Sequence, residues 1–140
     1  MAKTTMNLST LRNNLIDKIE ELAYFRLVPF PLETFDRSQN TLAHLGFAVS
    51  LTSSQEQGDR QRVYNRVFME TRASIIFAYR LRPHSISIDY NNALDKEVEV
   101  IEKIISSVGI EIRYNQSTRN FADSLEYALI QTEYTVLHTP

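Results

Sequence analysis

Cysteine is absent from these 140 residues, and so is tryptophan. Without cysteine there is no disulfide framework, no thiolate nucleophile and no cysteine metal site. Only three glycines occur, which speaks against a phosphate-cradling loop, and no G-x-S-x-G elbow is present. An excess of one charge is also lacking. Fifteen Lys and Arg against seventeen Asp and Glu leave a net charge of −2. A general nucleic-acid binder usually carries a basic excess, although a local basic face remains open. There is no long hydrophobic run. The longest, Ala73 to Tyr79, is broken by Ser74 and is far too short to cross a bilayer. MAKTTMNLST at the N-terminus has no apolar signal core. These absences predict a chain made and used in a cytoplasm, or packed into a particle assembled there, with no membrane partner. His44, His84 and His138 stand far apart in no ligand spacing. They are expected at the surface or at strand ends, with no metal, no cofactor and no catalytic site.

What is present is a long alternating stretch, RVYNRVFMETRASIIFAYRLRP from Arg62 to Pro83. Val63, Val67, Met69, Ala73, Ile75, Phe77, Tyr79 and Leu81 share one parity. Arg62, Tyr64, Arg66, Glu70, Arg72, Ser74, Arg80 and Arg82 share the other. A period of two makes one face apolar and the other basic and polar. Twenty strand residues span roughly 66 Å at about 3.3 Å each, whereas a compact domain of this length is only ~40 Å across. The strand must bend, bulge or project. Gly46 to Leu51 also alternates, and TSSQEQGD (Thr52 to Asp59) reads as a polar turn. The expectation is a long β-hairpin over about 45–82, projecting from a single domain of residues 1–140.

The remaining elements follow from periodicity. Leu8, Leu11, Leu15, Ile19 and Leu22 step by threes and fours behind a capping Asn7 or Ser9, an amphipathic helix. Met1 to Met6 reads as a mobile polar lead. In YFRLVPFPLETF, Tyr24 to Phe35, Pro29 and Pro31 forbid a regular helix. The segment is a short strand and loop packed on the domain, or an apolar docking arm. Tyr90, Leu94, Val98, Ile101 and Ile105 predict the buried stripe of a second helix. Asp89 complements its dipole, and Asp95, Glu97, Glu99 and Glu102 make its outer face acidic. Ile110 to Tyr114 alternates, NQSTRNFADS reads as a polar connection, and Leu125 to His138 is apolar on both parities, as in a central strand. The fold class is α+β: a mostly antiparallel sheet with two helices packed on one face and a long projecting β-hairpin.

One constellation stands out. Arg60, Arg62, Arg66, Arg72, Arg80 and Arg82 share a parity. Arginine suits fixed bidentate contacts to carboxylate or phosphate. Three readings are open: a solvated face that blocks edge aggregation, pairing with acids of a neighbouring copy, and direct phosphate contact. On the second, Arg62, Tyr64, Arg66, Glu70 and Arg72 would form one half of a subunit interface, and Asp95, Glu99 and Glu102 the other.

In order, spacing and length the chain resembles the tail terminator, or tail completion, proteins of long-tailed, lambda-type bacteriophages. The similarity is carried by the opening helix Asn7 to Ala23, GFAVSLTSS at Gly46 to Ser54 with a polar loop after it, RASIIFAYRLRP at Arg72 to Pro83 running into a helix with an early Asp89, and the closing IEIRYNQSTRNFADSLEYALIQTEYTV from Ile110 to Val136. The resemblance implies a structural virion protein. It would form a homo-oligomeric ring, commonly a hexamer, at the head-proximal end of the tail, stop tail-tube growth and join the tail to the head connector. Its partners would be itself, the tail-tube protein and the connector, with DNA only as passing cargo and no catalysis. The basic hairpin departs from a surface expected inside a DNA channel. Another tail-tube or neck subunit, or a small nucleic-acid-binding α+β module, are the alternatives.

Overall fold

The structure, a computed structural model, describes residues 4–5, 7–27, 44–56, 69–106, 111–121 and 126–139. In chain order the elements are β1 (Thr4–Thr5), α1 (Leu8–Glu20), β2 (Arg26–Leu27), β3 (Gly46–Glu56), β4 (Met69–Arg80), α2 (Ile86–Ile105), β5 (Glu111–Phe121) and β6 (Tyr127–Thr139). Four long strands lie side by side as β3, β4, β6 and β5, every neighbouring pair antiparallel. The two-residue strands add parallel bridges, β1 to the end of β6 and β2 to the start of β3. Thr4 and Thr5, expected in a mobile lead, are thus tied to His138 and Thr139.

Both helices cover one face of this sheet and share one core with it. Leu11, Leu15, Ile16 and Ile19 of α1, and Ala93, Val100 and Ile104 of α2, meet Phe47, Val49, Ala73, Ile75, Phe77, Ile130, Tyr134 and Val136. The class is therefore α+β, as the periodicity requires. Asn7 caps α1, its side chain accepting from the Thr10 amide at 2.8 Å. Phe25 packs edge-on against Phe47 and Phe77, so the start of the proline-bearing segment belongs to the core; its remainder lies outside the described residues. Among the described residues, Leu45 is the non-glycine residue with positive φ, 60°. Its amide donates to the Ala78 carbonyl and its own carbonyl accepts from Arg26. Those two bonds and a buried side chain hold a conformation that costs roughly 1–2 kcal/mol.

Three expectations change. The β3–β4 hairpin exists, but its described part does not project. β4 has twelve residues, and β6 accompanies every one of them, from Met69 opposite His138 to Arg80 opposite Tyr127. Any projection falls on 57–68, outside the described residues. β5 is longer than expected, because NQSTRNF is strand. A register shift between Tyr114 and Gln116 inserts Asn115 as a bulge and swaps the parity. Ile112 and Tyr114 then share the helix-covered face with Ser117, Arg119 and Phe121. The polar side chains there have partners: Ser117 Oγ lies 2.6 Å from the Tyr114 hydroxyl, and Arg119 donates to Glu97.

The third change concerns α2. Its core line is Ala93, Glu97, Val100 and Ile104, not Leu94, Val98 and Ile105. Val98 and Ile105 are exposed. The helix is rotated by about one residue from the apolar stripe because Glu97 enters the core with a partner, Arg119. A sequence reading that treats every carboxylate as a solvent group cannot find that phase.

Candidate assembly interface

Of the residues expected at a subunit interface, Arg62, Tyr64 and Arg66 lie outside the described residues. Glu70 and Arg72 sit on the sheet face away from the helices, where the register builds ordered rows. Ser53, Arg72, Thr135 and Arg113 stand side by side across β3, β4, β6 and β5. The adjacent row is Gln55, Glu70, Leu137 and Glu111, and on the other side run Ser50, Ser74, Glu133 and Gln116. Amide side chains tie the rows: Gln116 donates to Glu133 at 3.0 Å, Asn115 to the Thr135 hydroxyl at 2.8 Å, and Gln131 to the Ser74 hydroxyl at 2.7 Å. A shallow polar hollow of about 230 Å³ lies over Arg72 and Arg113.

Among the described residues this face is not the continuous basic ribbon expected of the parity. Between Arg72 and Arg80 the same parity carries Ser74, Ile76 and Ala78. Carboxylates of Glu70, Glu111 and Glu133 occupy the rows around Arg72 and Arg113. Arg82 leaves the pattern altogether. Past the end of β4 it turns to Asp89, its Nε and Nη2 donating at 3.1 and 2.9 Å and its amide at 2.8 Å. Ser85 adds a hydroxyl donor. Asp89 is buried, and the Arg82 guanidinium holds its carboxyl well below the usual carboxylate range. Asp89 therefore does more than complement a helix dipole. It closes the β4–α2 turn.

The acidic set divides. Asp95 and Glu102 are exposed on α2, on the side opposite its core line. Glu99 bonds Lys96 at 3.1 Å and accepts from the Tyr24 hydroxyl, while Lys96 stands 4.0 Å over the Tyr24 ring. Lys103 reaches across to Glu21 of α1 at 2.7 Å. These bonds lock the two helices together. Because Arg72 lies on the open sheet face and Asp95 and Glu102 on the outside of the helix layer, the two groups occupy opposite sides of the domain.

Two polar clusters escaped the sequence reading. Arg119, itself partly exposed, grips the buried carboxylate of Glu97. His138 stands at the end of β6, one of the two places expected of it, but is buried; its Nε2 is 2.7 Å from Thr71 Oγ1, which is 2.9 Å from Ser54 Oγ. The register places these three residues together at the far end of the sheet, and nothing in their separate surroundings signals it. Thr71 is fully buried and links the buried His138 to the exposed Ser54. His44 is exposed and accepts from the Arg80 amide at Nδ1, 3.1 Å away, and beside it Tyr79 and Arg82 border a hollow of about 410 Å³.

The described residues hold no group of three or more side chains suited to a metal ion, and no described helix is long and apolar enough to cross a membrane. Comparison with protein-family models and with curated proteins finds no match.

Proposed function

We propose that this chain is a structural subunit of a phage-like tail, a terminator that closes into a homo-oligomeric ring at the head-proximal end of the tail tube and offers a surface to the head connector. The resemblance in element order supplies the identity of the assembly. The observation that carries the reading is that the domain has two unlike lateral ends. β3 bounds the long-strand array on one side and β5 on the other, and they run in opposite directions. Unlike ends on one subunit support a heterologous, head-to-tail contact, which forms a ring when its rotation closes. The role is non-catalytic, with no cofactor, and DNA is only cargo in the channel. Its place is the virion neck, after assembly in the host cytoplasm. Negative-stain imaging of the purified chain, alone and mixed with uncapped tail tubes, tests this. Closed rings, and tubes that carry a ring at one end and no longer elongate, are the expected result. A chain that stays monomeric and leaves the tubes bare would overturn it.

A further inference from the structure

We propose that His44 is a pH-sensitive latch at the base of the β3–β4 hairpin: its neutral ring closes the strand ladder at Arg80, and protonation opens it.

β3 and β4 are in register from Phe47 opposite Phe77 onward. Two residues before Phe47 the chain turns at Leu45, with φ 60°, and the Leu45 amide still donates to the Ala78 carbonyl at 2.6 Å. Arg80 stands two residues beyond Ala78, so its amide points to the same side. The acceptor it meets is a side chain, His44 Nδ1, at 3.1 Å. A backbone amide can only donate. Nδ1 therefore holds the lone pair, and the proton of the neutral ring sits on Nε2. The hydroxyl partner of His138 fixes no such tautomer. An imidazolium has no acceptor at all, so protonation of His44 sets two donors against each other.

The surroundings of the ring oppose that charge. It stands edge-on to Tyr79, with centroids 4.5 Å apart. Partial burial is the largest influence holding its pKa below the ordinary histidine range. Asp89 of α2 acts the other way, but its carboxylate is already bound by Arg82 and Ser85. Arg80 of β4, Arg82 of the turn and Lys96 of α2 add to the lowering. Arg26 of β2 adjoins the same turn, its amide donating to the Leu45 carbonyl. The contribution of His44 to stability is thus complete above the unfolded value of about 6.5. It is lost as pH falls from there to the folded value, through which the bond itself breaks.

Release reaches beyond one bond. Leu45 keeps its left-handed conformation through its bonds to Ala78 and Arg26, and β2 lies on β3 at this point. His44 also borders, with Tyr79 and Arg82, the hollow of about 410 Å³. A protonated His44 loosens the entry into β3, the β2 bridge and one wall of that hollow.

Nuclear magnetic resonance of the full chain tests this. His84, exposed in the turn before α2, is the internal reference. His44 should titrate below His84, and its nitrogen shifts at neutral pH should show the lone pair on Nδ1. Protection of the Arg80 amide, relative to its unstructured exchange rate, should fall roughly threefold to tenfold through the His44 titration, the worth of one hydrogen bond. His44→Asn keeps an acceptor oxygen at every pH and should make that protection independent of pH. His44→Ala should leave it low throughout; if this variant does not fold, the parent and the asparagine variant still decide. A His44 that titrates at or above His84 would overturn the proposal. So would an Arg80 amide whose protection ignores pH in the parent, or an asparagine variant that keeps the parent's pH dependence.

Discussion

Arg119 of β5 holds Glu97 of α2 through two hydrogen bonds of 2.7 Å, one to each carboxylate oxygen. The carboxylate side chain is 5% exposed and the guanidinium 44%. The pair joins the edge strand to the helix and sets the rotation of α2. Arg119→Ala would leave a buried carboxylate unpaired, a loss of about 3–5 kcal/mol in fully buried cases. With one partner half in water, the low end of that range is expected. Adding Glu97→Leu should recover most of it, since an apolar residue at that position fits the core line. Urea unfolding of the two single variants and the double variant measures the coupling, and additive effects would show that the two residues do not act as a pair.

Ile104 and Ile105 are sequence neighbours with opposite surroundings. Ile104 is fully buried and Ile105 is 47% exposed. Ile104→Ala should cost about 2–5 kcal/mol, whereas Ile105→Ala should stay within about 0.5 kcal/mol in the monomer. The reverse order of unfolding midpoints would restore the stripe of Leu94, Val98 and Ile105 as the buried face.

Asp89 predicts a pH dependence of known sign. Hydrogen bonds from Arg82 and Ser85 hold its folded pKa below the ordinary value, which is about 3.9 in an unfolded chain. Its contribution to stability is therefore complete above about pH 4 and is lost as pH falls toward the folded value. Asp89→Asn should be less stable than the parent at neutral pH, and the gap should narrow only below about pH 4. Denaturation midpoints measured from neutral pH down to about pH 2 check this. A gap that narrows already near neutral pH would assign the effect to another group.

The Tyr134 hydroxyl is buried and has no hydrogen-bond partner among the described residues. Burial pushes its phenol well above the ordinary tyrosine range. The neighbouring Thr132 hydroxyl donates to the Ile75 carbonyl, at 3.3 Å, and opposes that shift. Removing a satisfied buried hydroxyl typically costs about 1 kcal/mol, but an unsatisfied one is itself a burden. Tyr134→Phe should leave the thermal midpoint unchanged or raise it. A clear drop would reveal a hydrogen bond to that oxygen.

The sequence by itself determined the element types and the faces of the central strands. Ile75, Phe77, Phe47 and Val49 share the odd parity, and apart from Ile76 their sequence neighbours are polar or small, so a strand period of two puts them on one buried face. β6 is apolar on both parities, and it lies between β4 and β5 with Leu129 and Ile130 both buried. Those features are local, so a run of neighbouring residues carries them. The tertiary structure alone decided which polar groups are internal, among them Glu97, Thr71 and His138. Glu97 and Arg119, and equally Thr71 and His138, are far apart in the chain, and each alone looks like a solvated residue or a strand end. Only the pairing that brings them within hydrogen-bond reach makes burial affordable. The basic parity was legible only in part for the same reason. A parity argument placed Arg72, Arg80 and Arg82 on one ribbon, but β4 ends at Arg80 and Arg82 has its own carboxylate seven residues on. What remains unpaired, Val98 and Ile105 beside the open edge of β5, became visible only once the core had taken its share of α2.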